Sequence, residues 1–274
     1  VLGNLGYLYS LRGDRLEGLR MLKQSLAIAR ERGDRQSEAI RLLNIGTTLH
    51  GLEDLVAAAD AFRLSLAIAR SLEHPAIEAQ VLVGLASVIA EDGQLDEAIR
   101  ALTRSLEIAR TMRAPVLVAT VSNNLSHTLL AANRLDEAEM HLQEAVQILD
   151  RLRSGLTDAE NVSLLDTQTY TYNLLTQVLV KKGSVEAALA SSEAGRARAF
   201  TDIMMARSDF LVGEPSRGNS TTPPPSIRQI RQIAKDRNAT LIEYALVPEE
   251  TFRAQGRQRG RTAEIYMWVV RPNG

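Results

Sequence analysis

Four histidines, His50, His74, His127 and His141, have the broadest chemical range in this 274-residue chain. Their spacing decides what they can do. None falls into the zincin or zinc-finger patterns that hold a metal on one helix face or finger. His127 and His141 belong to the two helices of one expected hairpin and could meet, but two ligands do not complete a site. All four read as surface or groove residues. The chain has no cysteine, which excludes disulfide staples, cysteine–zinc sites and a thiol nucleophile within these residues. No Walker loop or Gly-x-Gly-x-x-Gly turn offers backbone amides to a phosphate. No Gly-x-Ser-x-Gly elbow presents a serine. We therefore expect no catalytic residue, no metal ligand and no cofactor here.

Asparagine carries more information. Asn4, Asn44 and Asn124 stand at multiples of 40 residues. A side-chain amide has two donor hydrogens and an acceptor oxygen, so it can pair with the backbone of an extended peptide. One asparagine per repeat would form a ladder. Tyr7, Thr47, Ser87, His127 and His50 would be its neighbours, a mixed polar surface suited to a protein or peptide ligand rather than a lipid. The alternative is that each asparagine ties the turn of one repeat to the next, and Gly84 interrupts the column in the third repeat. Arg253, Arg257, Arg259 and Arg261 form a basic run. With Phe252 the only aromatic in the run and a net charge of −1, it reads as a solvated loop and not a nucleic-acid contact. Arg196 and Arg198 fall on a helix that breaks the core pattern, and their planar guanidinium groups suit a fixed interface. They are expected to contact a following domain.

The elements that would position these residues come from an internal repeat. Ser25-Leu26-Ala27-Ile28-Ala29-Arg30 recurs at Ser65–Arg70 and, as Ser-Leu-Glu-Ile-Ala-Arg, at Ser105–Arg110. Gly18, Ala58, Ala98 and Ala138 form a small column. Leu22, Phe62, Leu102 and Leu142 form a large one. Leu26, Leu66, Leu106 and Val146 form another, and Ala29, Ala69, Ala109 and Leu149 follow. Steps of four, four and three mark one face of a helix. The small column suits a close approach of two helices. A second helix precedes this one in each repeat, and the turns carry Gly13, Glu53, Gly93 and Asn133, where glycine and asparagine suit a left-handed helix end. Pro75 and Pro115, also 40 apart, suit the first turn of a helix.

A fifth unit departs from the pattern. Its first helix, from Asp158 to Lys182, is long. In its second helix, counted in register from Gly183, Ser192 and Arg196 land on the large apolar columns. That helix is either a polar cap, which solenoids need, or a docking element for another domain. Glu214–Ser226, with three consecutive prolines, reads as a linker. A short amphipathic helix bearing Ile227, Ile230, Ile233 and Ala234 follows. Residues 239–247 and 264–270 are then strand candidates.

Asn4-Leu5-Gly6 with Tyr7 and Tyr9, Gly13, the small column and the Ser-Leu-x-Ile-Ala-Arg run together resemble the tetratricopeptide repeat (TPR) family. The 40-residue period is similar to its long-helix variety in kinesin light chains and Pins-type scaffolds. The resemblance covers residues 1–150, with Ala86 and Ser126 in place of the helix glycine. Glu193–Phe200, the isoleucine-bearing helix, Ala239–Tyr244 and Tyr266–Gly274 resemble the opening of a CHAT domain, a caspase-like domain that follows TPR arrays. That second resemblance implies a cysteine peptidase whose histidine and cysteine lie downstream, so it gives no residue here a catalytic role.

The expected fold is mainly α. It is an α-solenoid of about five helical hairpins over residues 1–207, a Pro-rich linker over 208–226, and a truncated α/β segment of one helix and two strands over 227–274. The expected function is a protein- or peptide-binding scaffold that regulates or feeds a downstream CHAT peptidase. No nucleic acid, no membrane and a cytoplasmic location are expected, and the chain reads as part of a longer protein. The alternatives are a non-enzymatic TPR adaptor, or the sensor arm of a bacterial transcriptional regulator or signalling ATPase.

Overall fold

The computed structural model describes residues 1–153, 158–196, 226–248 and 262–272. The chain divides into two compact units, one containing Val1–Asn133 and the other the described residues from Arg134 onward.

The first unit consists of α1 (Leu2–Arg12), α2 (Arg15–Glu31), α3 (Arg35–Gly51), α4 (Leu55–Ser71), α5 (Pro75–Glu91), α6 (Leu95–Thr111) and α7 (Pro115–Ala131). Helices α2 to α7 are each 17 residues long. Two such helices with two three-residue turns make the 40-residue period, and each helix spans about 25 Å. Consecutive helices pack as antiparallel hairpins that stack into a solenoid.

The turns follow from local chemistry. Every one carries a single residue at positive φ: Gly13, Glu53, Gly93 and Asn133 within hairpins, Gly33, Glu73 and Arg113 between them. Two of the within-hairpin positions are glycines, for which this backbone is free of steric cost. The next helix is then capped. Asp34 accepts from the Ser37 amide at 3.0 Å and Asp54 from the Ala57 amide at 3.1 Å. Pro75 and Pro115 sit in the first turns of α5 and α7.

The columns are the core. Leu22, Phe62 and Leu102 are fully buried, as are Ala58 and Ala98. At Gly18 a β-carbon would stand 2.6 Å from the Gly6 carbonyl oxygen, so the small column is where α1 and α2 touch backbone to backbone. The repeated serine has a defined role. Ser65 donates to the Ala39 carbonyl at 2.7 Å and Ser105 to the Ala79 carbonyl at 2.8 Å. Each bond ties the two helices of one hairpin.

The second unit begins with α8 (Leu135–Arg153) and α9 (Asp158–Lys181), which pack together. Lys182 reaches back to Asp136 and Glu139 of α8, each at 2.5 Å. Helix α10 covers residues 185–196. Ser191 and Ser192 are buried, and the Ser191 hydroxyl donates to the Tyr172 carbonyl of α9 at 3.4 Å. Helix α11 (Ile227–Asp236) opens on a capping box between Ser226 and Gln229. It buries Ile230 and Ala234, while Ile233 stays exposed. Strands β1 (Leu241–Pro248) and β2 (Thr262–Val270) pair antiparallel, with Ile242 opposite Val269 and Tyr244 opposite Met267. One sheet face holds Trp268, buried, in edge-to-face contact with Tyr266 at 6.3 Å. The other presents Ile242, Tyr244, Ile265, Met267 and Val269, each more than half exposed. The described residues thus form a helical-hairpin solenoid fold followed by a small two-stranded sheet. None of their helices is long and apolar enough to cross a membrane.

Candidate functional site

In the first unit the first helices of successive hairpins, α1, α3, α5 and α7, meet one another directly. They therefore make a continuous surface. The residues singled out by spacing lie along it, one set per helix.

Asn4 is exposed, and its side-chain oxygen accepts from Arg41 of α3 at 3.3 Å. Asn124 is half-buried, and its amide nitrogen donates to the Thr120 carbonyl one turn earlier at 2.9 Å. Asn44 is half-buried and has no side-chain hydrogen bond among the described residues. The three asparagines thus have the same position and three different environments. Gly84 takes the corresponding place in α5.

The next column is Tyr7, Thr47, Ser87 and His127. Tyr7, Thr47 and His127 are half-buried, and burial raises the Tyr7 pKa above the ordinary phenol range. Thr47 donates to the Leu43 carbonyl at 3.1 Å. Ser87 is fully buried and donates to the Val83 carbonyl at 3.1 Å, so it stands behind the surface. His50 is also buried, with Nε2 2.8 Å from Glu91 Oε1 of α5.

Polar ties cross between hairpins beneath this surface. Thr48 Oγ1 lies 3.0 Å from Ser10 Oγ, joining α3 to α1. The His50–Glu91 contact joins α3 to α5. At the N-terminal end of α3, Glu38 receives Arg30 of α2 at 2.9 Å and Arg35 at 2.5 Å. Burial opposes its charge, and the two guanidinium partners outweigh burial, so its pKa lies below the ordinary glutamate range. Forty residues on, Arg70 meets Glu78 at 2.9 Å. Sequence reasoning did not single out these arginines, although Arg30 and Arg70 close the repeated Ser-Leu-Ala-Ile-Ala-Arg run and a glutamate follows each by eight.

In the second unit Arg196 projects from the last turn of α10. It pairs with Glu193 of its own helix and with Glu243 of β1, the latter at 2.5 Å. Arg198, and the basic run Arg253–Arg261, lie outside the described residues. No cluster of three or more metal-ligating side chains occurs among the described residues.

Comparison with known proteins bears on this geometry. The tetratricopeptide repeat family model matches residues 1–71 and 77–151, more than half of the chain. Human tetratricopeptide repeat protein 28 is 28% identical over 122 residues, 44% of this chain, and the matched stretch is 4% of that protein's length. Among solved structures, BtubC (BKLC) from P. vanneervenii aligns with a TM-score of 0.60 at 19% identity, covering 81% of this chain and 84% of that one. A Rap protein complexed with Competence and Sporulation Factor aligns with a TM-score of 0.60 at 16% identity, covering 77% of this chain and 58% of that one. At these identities the structural likeness is one of fold.

Proposed function

Because the chain belongs to the tetratricopeptide repeat family, we propose that it is a scaffold that binds a protein or peptide along α1, α3, α5 and α7. The observation that carries this reading is the accessible polar column, with Asn44 and Asn124 one turn from Thr47 and His127 at an 80-residue interval. An extended peptide laid across the first helices would meet one such set per repeat. Asn4 and Tyr7 extend the set at one end, while His50 and Ser87 support it from behind. The Rap protein complexed with Competence and Sporulation Factor is a precedent for a ligand on this fold. Water-compatible amides and hydroxyls suit a peptide backbone better than an acyl chain.

The experiment is selection of a random-peptide display library on the immobilised chain, followed by affinity measurement with the Asn44→Ala/Asn124→Ala variant. Binders that weaken at least about tenfold with unchanged Tm are expected, a loss near 1.4 kcal/mol. Binders indifferent to both asparagines would sink this location for the groove.

The finer part of the proposal concerns the second unit. We propose that residues 227–274 open a CHAT-type domain, that residues 1–207 form the solenoid and 208–226 the linker, and that the parent protein acts in the cytoplasm. What supports the first point is the sheet. Two strands are marginal alone, and one face of this pair leaves five large apolar side chains more than half exposed. A reading frame beyond Gly274 that encodes further strands, with a histidine at one strand end and a cysteine at the next, is the expected result. A frame without that pair leaves a non-enzymatic adaptor.

A further inference from the structure

Outside the repeats, the second unit holds a pocket whose lining charges are nearly all of one sign. Its volume is about 380 Å³, within the ~300–1,000 Å³ usual for small-molecule sites. The first turn of α10, one face of α11 and the end of β2 form its walls. Helix α11 turns Ile230 and Ala234 inward. That leaves Arg228, Arg231 and Lys235, in steps of three and four, together on the face that lines the pocket. Arg271 joins them from the end of β2, and Glu186 of α10 is the one carboxylate in the lining. Four cations against one carboxylate leave the lining at +3. Glu186 pairs with Arg231 at 2.5 Å, and both side chains are more than half exposed, so an incoming anion can take its place. Arg228, Lys235 and Arg271 are exposed and form no ion pair with another described residue. Asp236, next to Lys235, is held by the Gln232 amide at 2.6 Å. A plain solvated helix face sets opposite charges three and four residues apart. Like charges at that spacing repel, and an anion bound among them relieves the repulsion.

We propose that this pocket binds the oligophosphate group of a small molecule, gripped by Arg228, Arg231, Lys235 and Arg271. Guanidinium forks meet phosphate oxygens two at a time, and the lysine adds a compact charge. The length of the ligand follows from the helix. Arg228 and Lys235 are seven residues apart, about 10 Å along the axis of α11. One phosphate is too small to meet both ends, whereas a chain of two or three spans them. A nucleic-acid strand is a poorer match, because it calls for a basic track with aromatic side chains to stack its bases, and no aromatic residue lines this pocket. Glu186 then acts as a gate: it neutralises Arg231 in the free protein and must yield that arginine to the ligand.

The test is titration calorimetry of the full chain with sodium tripolyphosphate, ATP and orthophosphate, without divalent cations, at about 0.15 M salt. Tripolyphosphate is expected to bind at one site, at least about tenfold tighter than orthophosphate. Arg228→Gln/Lys235→Gln should weaken it by about tenfold or more, whereas the same charge change far away, Arg20→Gln/Arg63→Gln, should leave it unchanged. Glu186→Gln should strengthen it by about threefold, since Arg231 is then free and a like charge is gone. All these side chains are exposed, so Tm should stay within about 2 °C of wild type in every variant. ATP tighter than tripolyphosphate assigns the pocket to a nucleotide, and tripolyphosphate tighter than ATP assigns it to the phosphate chain itself; both outcomes uphold the proposal. It is overturned by an absence of saturable binding, by equal losses in the two double variants, or by Glu186→Gln without a gain. An oligouridylate that binds tighter than either probe and is lost in Arg228→Gln/Lys235→Gln also overturns it, because the basic face would then belong to a nucleic acid.

Discussion

The ring of Phe62 occupies the space that a side chain at Gly84 would need: a β-carbon there would stand 2.6 Å from ring atoms Cε1 and Cζ. The same ring meets Gly46 of α3, where a β-carbon would stand 2.7 Å from Cδ1 and Cε1. Phe62 is thus clamped between α3 and α5, and both helices accommodate it by omitting a side chain. This accounts for the gap in the asparagine column. The third repeat has glycine at the asparagine position because the second repeat has phenylalanine where Leu22, Leu102 and Leu142 stand in the others.

Replacing Gly84 with the asparagine that the period calls for should therefore overpack the core. Gly84→Asn is expected to cost about 1–3 kcal/mol, net of the small gain in helix propensity. Phe62→Leu alone should cost about 1 kcal/mol through lost volume. The double variant should be more stable than the sum of the two losses allows, because leucine vacates the space the amide needs. Urea denaturation of the four proteins gives the coupling energy, and a value of zero would mean the ring and the glycine are independent.

The buried serines should behave as latches between the helices of a hairpin. Ser65→Ala and Ser105→Ala each remove one hydroxyl bonded to a carbonyl of the facing helix. About 1 kcal/mol is expected from each, since the acceptor remains behind. The two serines belong to different hairpins, so the double variant should lose about the sum. Denaturant midpoints measured at constant m-value check both statements.

Acid should weaken the junction between α2 and α3. Glu38 has a folded pKa below the ordinary range because two guanidinium groups outweigh its burial. A depressed folded pKa contributes stability that is complete above the unfolded value of about 4.3 and disappears as pH falls through the folded value. Glu38→Gln should thus cost about 1–2 kcal/mol at pH 7, because Arg30 and Arg35 are half exposed and partly screened. The gap between the two proteins should close below pH 4. A gap that persisted unchanged at pH 3 would show that the carboxylate charge contributes nothing there.

Much of this fold is legible because a solenoid writes the same packing problem several times. The four-four-three columns recur at a fixed period, and Phe62, Leu102 and Ala98 are buried where those columns put them. The turns were less legible by residue type. Glu53, Glu73 and Arg113 take the same left-handed backbone as Gly13 and Gly93, since the helices on either side dictate the turn and override the preference of the residue. The polar surface was legible in position and not in depth. Spacing puts Ser87 and His50 beside Thr47 and Asn44, but burial depends on how far each side chain reaches toward the neighbouring hairpin, and His50 reaches Glu91. Pairing across the sheet was also beyond spacing, because register depends on both strands at once.

Arg196 offers the last prediction. It is an exposed cation at the end of α10 shared between Glu193 and Glu243, and the second of these joins the helix to β1. A half-exposed pair contributes about 0–1 kcal/mol, so Arg196→Ala should barely move Tm. Its effect should be local: faster amide hydrogen exchange in β1 at low salt, restored by the charge swap Arg196→Glu/Glu243→Arg. At 1 M salt the wild-type and alanine forms should exchange alike, since screening then reaches within about 3 Å. If β1 exchanges at the wild-type rate in Arg196→Ala at low salt, the bridge does not hold the strand. In a longer protein whose activity responds to a peptide on the first helices, Arg196→Ala/Arg198→Ala should leave peptide affinity intact and abolish the response. An unchanged response would mean that the solenoid signals through some other contact.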